Sequence, residues 1–199
     1  MPVAEPIIGL LLAAGIGRRY DPSGERLKLL EPAPGGGSTG VPIALAALRK
    51  LRAAIADVVA VVRPIDSASQ QQLHRLLAAE GVQLVICPEA TAGMGHSLAC
   101  GVRARSDAAG WVIALADMPE VSPATVAAVR DAIACGHDAV APVHRGQRGH
   151  PVGFGRACRV ELLGLTGDAG ARGVLATHRP LLIEVDDPGC LLDIDTPIT

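Results

Sequence analysis

Aromatic residues are nearly missing from this chain: Tyr20, Trp111 and Phe154 are the whole set. Proteins that bind single-stranded nucleic acid stack bases on aromatic rings, so composition argues against that class of partner. Dense runs of lysine and arginine are missing as well. With a formal charge of only −2 at pH 7, nucleic acid meets no electrostatic footprint. No apolar run approaches the roughly 20 residues that cross a bilayer. The apolar stretch at residues 7–14 follows Glu5 and has no basic segment before it, unlike a secretory leader. A cytoplasmic protein with no membrane partner is expected. The five cysteines, Cys87, Cys100, Cys135, Cys158 and Cys190, never form a Cys-x-x-Cys pair. Zinc knuckles and thioredoxin-like chemistry are therefore not indicated, and buried, reduced thiols are the expectation.

What the sequence does contain is an alternation of β-branched apolar runs with alanine-rich amphipathic stretches. Strands are predicted at residues 7–13, 57–63, 82–86 and 111–115. Helices are predicted at residues 42–54, with Leu45, Leu48 and Leu51 on the inner side, and at 69–79, where Leu73, Leu76 and Leu77 gather. Two more are predicted at residues 94–105 and 123–135. This βαβαβαβα order predicts an α/β fold with a mostly parallel central sheet covered on both faces. The last third is less regular. Strands are expected at 139–143 and 151–154 around a turn built on Gly146 and Gly149, then a helix at 170–177 and a strand at 181–185. The glycine-rich stretch at residues 35–40 reads as a flexible connector. With no repeat and no long linker, residues 1–199 read as one domain.

Open parallel sheets bind ligands beyond the carboxyl ends of their strands, where the strand order reverses. If the second strand pairs with the first and the third continues outward, the fourth returns to the other side of the first. The loops after strands one and four, residues 14–28 and 116–119, then become neighbours. The first reads Leu12-Ala13-Ala14-Gly15-Ile16-Gly17-Arg18-Arg19-Tyr20 and ends at Lys28. Glycines admit a phosphate chain close to the backbone, and successive amides form an anion-holding concavity. Arg18, Arg19 and Lys28 supply the charge a triphosphate demands. A Gly-x-Gly alone reads as a tight turn; the three cations turn the reading toward phosphate. A dinucleotide fingerprint would need a third glycine where Tyr20 stands, and a P-loop would need Lys-Ser/Thr where Val41-Pro42 follow Gly40. Neither motif is present.

Asp117 follows an apolar strand directly, which suits a hard cation bridging phosphate oxygens; it suits a turn toward Pro119 equally well. Asp193 and Asp195 share one side of an extended segment. They can hold one metal together or end as a solvated acidic tail. Gly93-Met94-Gly95-His96-Ser97 opens a helix whose free amides suit an anion or a base edge, with His96 read as a capping or surface residue. His150 is the best candidate for an acceptor contact. Asp168 reads as the N-cap of the following helix, with Arg172 in its first turn.

Taken in this order, the motifs resemble those of the MobA-like NTP transferases, most closely the molybdenum cofactor cytidylyltransferases. The likeness covers nearly the whole chain. It rests on Leu12-Ala13-Ala14-Gly15-x-Gly17-x-Arg19, Gly93-Met94-Gly95-x-Ser97-Leu98, Leu115-Ala116-Asp117-Met118-Pro119, Gly149-His150-Pro151-Val152, Gly167-Asp168-x-Gly170-Ala171-Arg172 and Asp193-Ile194-Asp195-Thr196-Pro197. The resemblance implies a Rossmann-like, three-layer nucleotidyltransferase fold. It also implies an Mg2+-dependent enzyme moving CMP from CTP to a phosphorylated acceptor, molybdopterin-bound molybdenum, with release of pyrophosphate.

On this likeness Leu12, Ala13, Ala14, Gly15, Gly17, Arg18, Arg19, Lys28, Gly95 and Ser97 contact the nucleotide. Arg19, Lys28 and Asp117 are catalytic, Asp117 and Asp195 hold the metal (Asp193 being the other choice), and His150, Pro151, Asp168 and Arg172 face the acceptor. A molybdoenzyme or its maturation factor is the implied protein partner. The Ala-Ala-Gly form of the first motif resembles the cytidylyl rather than the guanylyl branch. Two departures stand out: residues 20–27 separate Arg19 from Lys28, so Arg26 competes for the role of Lys28, and His96 occupies a position that is usually small. Two rival readings remain, a cytidylyltransferase for methylerythritol phosphate or a sugar-alcohol phosphate, and a non-catalytic nucleotide or pterin carrier.

Overall fold

In the computed structural model, residues 5–15, 20, 26–34 and 40–195 are described. The apolar run Ile7–Leu12 forms β1 at the centre of the sheet. It is followed by α1 (Ile43–Ala54), β2 (Val58–Val62), α2 (Ala68–Ala79), β3 (Gln83–Ile86), α3 (Met94–Ala104), β4 (Gly110–Leu115) and α4 (Pro123–Ala134). The remainder contributes β5 (Ala139–His144), β6 (Gln147–Arg148), β7 (Val152–Gly155), α5 (Arg159–Leu163), α6 (Arg172–Thr177) and β8 (Leu181–Glu184). The sheet order is β3-β2-β1-β4-β7-β5-β6, with β8 also paired to β5. β1, β2, β3 and β4 are mutually parallel, whereas β7 runs against both β4 and β5.

Side chains alternate across this sheet because strand residues point to opposite faces in turn. Ile8, Leu10, Val59, Val61, Trp111 and Ile113 pack with α3, α5 and α6 on one face. Leu11, Val58, Ala60, Val62 and Val112 pack with α1, α2 and α4 on the other. Both faces are covered, which is why these strands carry no polar positions. Trp111 lies opposite Phe154 across β4 and β7, and both are fully buried. Truncating either to alanine would cost about 3–5 kcal/mol.

Helix starts follow capping chemistry. The Ser67 side chain accepts from Gln70 N at 3.2 Å, and the Ser122 side chain accepts from Ala124 N ahead of α4, which starts on Pro123. Two local expectations are corrected. The turn after β5 is made by Arg145 and Gly146, both at positive φ, and not by Gly149. Gly149 instead lets the chain pass Cys190, whose carbonyl oxygen would lie 2.3 Å from a Cβ there. The helix expected from residue 170 starts at Arg172 with Ala171 as its N-cap and no side-chain cap. Asp168 lies three residues too early to cap it.

Candidate active site

β1 and β4 end in register at Leu12 and Leu115, so the chain leaves both strands at one level. Ala13 N still bonds Val61 O at 2.9 Å, and Ala116 N still bonds Leu12 O at 3.1 Å. Beyond these bonds Gly15 and Asp117 stand free of the ladder at the rim. Lys28 arrives from the far end of the loop after β1, on a short 3-10 turn, Lys28–Leu30. Leu27 and Leu29 on either side are buried in the α1 face of the core and fix that turn. The bond from Ile43 N to Glu31 O, 2.9 Å, ties it to the start of α1.

The C-terminal segment completes the group. Ile194 N donates to Asp117 O at 3.0 Å, which sets Asp195 beside Asp117. Lys28 Nζ lies 2.8 Å from Asp117 Oδ2 and 3.4 Å from Asp195 Oδ1. The lysine side chain is 8% exposed, the two carboxylates 27% and 39%. Asp187 holds this segment down from behind: its carboxylate accepts from Thr125 Oγ1 at 2.6 Å, Ser122 N at 2.8 Å and Gly189 N at 3.0 Å. Sequence reading missed Asp187, because an acid between a strand and a Pro-Gly turn looks like any surface residue.

A cavity of about 370 Å³ opens at this rim. It is lined by Leu12, Ala14, Gly15, Lys28, Ser97, Asp117, Asp168 and Asp195 among the residues singled out from the sequence. Tyr20, Leu27, Leu29, Ala90, Thr91 and Met94 line it as well. Ala90 and Thr91 belong to the loop after β3. That loop could have been found by noting that every strand of a parallel sheet opens to the same edge. Ala13 points into the α1 face of the core and Gly95 does not line the cavity, although Gly93 does. Gly17, Arg18 and Arg19 lie outside the described residues. Arg26, the rival to Lys28, is exposed and pairs with Glu31 at 3.0 Å.

Gly93 and Gly95 serve a purpose other than the one expected. Gly95 N donates to Gly167 O at 2.8 Å and His96 N to Gly93 O at 3.2 Å, so these amides are not free. A Cβ on Gly93 would lie 2.2 Å from Gly167 C, and one on Gly95 would lie 2.7 Å from Thr166 O. The glycines form a seat for residues 166–168, and this seat sets Asp168 in the cavity wall.

His150 and Pro151 stand behind Asp117 in a separate, small recess shared with Lys50, Met118 and Val126. His150 N bonds Cys190 O at 2.8 Å, and its buried Nδ1 has no hydrogen-bond partner among the described residues. Burial holds the imidazole below its ordinary pKa; Asp117 and Asp193 oppose that effect, while Arg148 and Arg172 reinforce it. His150 is therefore neutral at pH 7. Of the acidic pair near the C-terminus, Asp195 lines the cavity and Asp193 does not.

The donor set fits a divalent metal. Two carboxylates from different segments converge, partly exposed to the cavity, and one ammonium offsets only half of their negative charge. Mg2+ and ions like it bind through one or two such carboxylates while keeping several waters.

A mostly parallel sheet with a cavity at the carboxyl edge of its strands, where the strand order reverses, is the arrangement in which open α/β proteins bind their ligands. The chain belongs to the MobA-like NTP transferase domain family, which matches residues 9–181. Its activity class is accordingly that of a nucleotidyltransferase. Purine catabolism protein PucB of Bacillus subtilis (strain 168) is 34% identical, over 96% of this chain and 92% of that protein. The crystal structure of Rv0371c from Mycobacterium tuberculosis H37Rv is 27% identical with a TM-score of 0.74, covering 98% of this chain and 94% of its own. Its manganese complex aligns at 25% identity with a TM-score of 0.68, covering 98% and 92%. Among the described residues no helix is long and apolar enough to cross a membrane.

Proposed function

We propose that the protein transfers CMP from CTP to the terminal phosphate of molybdopterin carrying molybdenum, releasing pyrophosphate. The observation that supports it most is the convergence of Lys28, Asp117 and Asp195 beside Gly15 at one cavity rim. An acceptor phosphate oxygen attacks the α-phosphorus of the nucleotide, a new P–O bond forms, and the bond to the β-phosphate oxygen breaks. An ionised phosphate is already a nucleophile, so no covalent enzyme intermediate and no general base are required; His150 then has only a positioning or acceptor-contact role. Positioning and charge stabilisation carry the catalysis.

Asp117 and Asp195 would hold the divalent metal, and Mg2+ bound there would neutralise charge on the phosphate oxygens of the nucleotide. The manganese complex of the mycobacterial relative supports divalent metal use. Leu12, Ala14 and Gly15 would contact base and ribose, with Ala13 shaping the strand end from the core side. Lys28, together with Gly17, Arg18 and Arg19, would hold the triphosphate. Ser97 and Gly95 belong to the nucleotide wall, Gly95 through the loop it seats. His150, Pro151, Asp168 and Arg172 are proposed to face the acceptor.

The choice of CTP rests on the Leu12-Ala13-Ala14-Gly15 sequence. A thermal-shift panel of the four NTPs, with and without Mg2+, tests it: a selective, metal-dependent rise with CTP is expected. Mass spectrometry of products from CTP with molybdopterin, methylerythritol phosphate or a sugar-alcohol phosphate then identifies the acceptor. Binding of CTP without pyrophosphate release on any acceptor would leave a carrier as the reading to adopt.

A further inference from the structure

Cys87, Glu89 and Cys100 meet at the end of β3, away from the carboxylate pair. Cys87 N extends the sheet ladder to Val62 O at 2.8 Å, and Ala90 N returns to Cys87 O at 3.3 Å. That return curls residues 87–90 into a turn and brings Glu89 back beside Cys87. Cys100 reaches the same point from α3. The two sulfurs and a Glu89 carboxylate oxygen all lie within 4.8 Å of one another. Cys87 is fully buried, Cys100 half-buried and Glu89 exposed, so the cluster has one side open to solvent.

The backbone fixes where the three side chains meet: the turn after β3 carries Cys87 and Glu89, and α3 carries Cys100. In a tetrahedral zinc site, with Zn–S near 2.3 Å, the ligand atoms are roughly 3.5–3.8 Å apart. The ligand atoms here lie within 4.8 Å of one another, so the cluster must contract by up to about 1 Å to hold an ion.

We propose that Cys87, Glu89 and Cys100 bind a thiophilic divalent ion of the Zn2+ class, through two thiolates and one carboxylate, with the fourth position open to water. Binding releases the two thiol protons to solvent and involves no redox change. Soft sulfur donors separate this site from the all-oxygen pair at Asp117 and Asp195, which favours Mg2+ or Mn2+. Ala90, Thr91, Gly93 and Met94, which line the cavity, lie between the ligands in sequence. A metal here therefore fixes one wall of the nucleotide cavity. The proposal does not depend on the identity of the nucleotide or the acceptor.

The test is a Co2+ titration of the reduced, full-length protein without oxygen and with excess Mg2+ to satisfy the carboxylate pair. A thiolate-to-Co2+ charge-transfer band saturating at one equivalent is expected, together with protection of the half-buried Cys100 from Ellman's reagent. The band should vanish in Cys100→Ser, weaken in Glu89→Gln and persist in Cys135→Ser. Cys100 is chosen because it is only half-buried, and Cys100→Ala on a helix is the second variant should the serine disturb folding by circular dichroism. Absence of the band in folded, reduced protein, or its survival in a folded Cys100 variant, overturns the proposal. So does recovery of Cys87 and Cys100 as a disulfide whose reduced form gives no band.

Discussion

Lys28 Nζ stands 2.8 Å from Asp117 Oδ2 although 89 positions separate the two residues. The contact joins the ends of the connections that leave β1 and β4, the strands flanking the reversal of strand order. An ammonium as buried as this one needs a partner, and two neighbouring carboxylates need a cation. Asp195, 3.4 Å from the same ammonium, makes the group a three-way balance. A metal drawn to the carboxylates competes with Lys28 for the same oxygens.

That competition predicts opposite effects of one substitution on two measurements. Lys28→Met should lower the stability of the metal-free protein by about 1–3 kcal/mol, since it strands partly buried acids. It should also enlarge the rise in Tm on adding Mn2+, because the competing cation is gone. Differential scanning calorimetry with and without Mn2+ measures both, and an unchanged metal response would remove Lys28 from the site.

Asp117→Ala should leave the fold intact, because the side chain sits at the rim and the bond its carbonyl accepts from Ile194 N remains. Nucleotide-dependent release of pyrophosphate should fall at least roughly a hundredfold, the scale for losing one preorganised electrostatic contact in a transition state. Ordinary turnover at ordinary Mg2+ would show that the metal is held elsewhere.

Gly93→Ala tests the seat beneath residues 166–168. The new methyl would lie 2.2 Å from Gly167 C, at a residue whose φ is +136°. A loss of about 1–3 kcal/mol is expected, with weaker nucleotide binding as the seated loop shifts in the cavity wall. Isothermal titration with CTP and urea unfolding report the two effects separately. Gly173→Ala, where nothing lies within 4 Å of an added Cβ, is the control.

His150 predicts a pH dependence. Its folded pKa is lowered by burial from an ordinary value near 6.5, so the unfolded chain takes up the proton first as pH falls. The contribution is fully present above about pH 6.5 and is lost progressively below it, down through the folded pKa. The Tm of the wild type should drop between pH 7 and 5 more steeply than that of His150→Gln. Parallel curves would mean that His150 is not desolvated.

The four parallel strands and the four long helices were legible because both obey local periods. Residues 58–62 are apolar throughout, which only a strand buried on both faces explains, and Leu73 and Leu77 recur at helical spacing. The adjacency of the loops after β1 and β4 followed from topology alone. The Asp168 cap failed because a helix start depends on where the chain arrives, and Gly167 and Gly170, both at positive φ, turn it first. The amide of Gly95 was misjudged for a related reason: its acceptor, Gly167 O, lies on a loop docked from elsewhere, whereas His96 N is taken locally by Gly93 O.

Periodicity by itself determined which segments become the four parallel strands and the four long helices, since burial of apolar faces is a local demand; the short α5 and β6 left no such signal. Tertiary structure alone decided that Lys28, Asp117 and Asp195 share one charge balance, that Gly93 and Gly95 admit a distant loop, and that Cys87 and Cys100 lie together. Such meetings depend on register and on how crossovers return to the sheet. Both are fixed by packing the whole core, and neither leaves a trace in residue spacing.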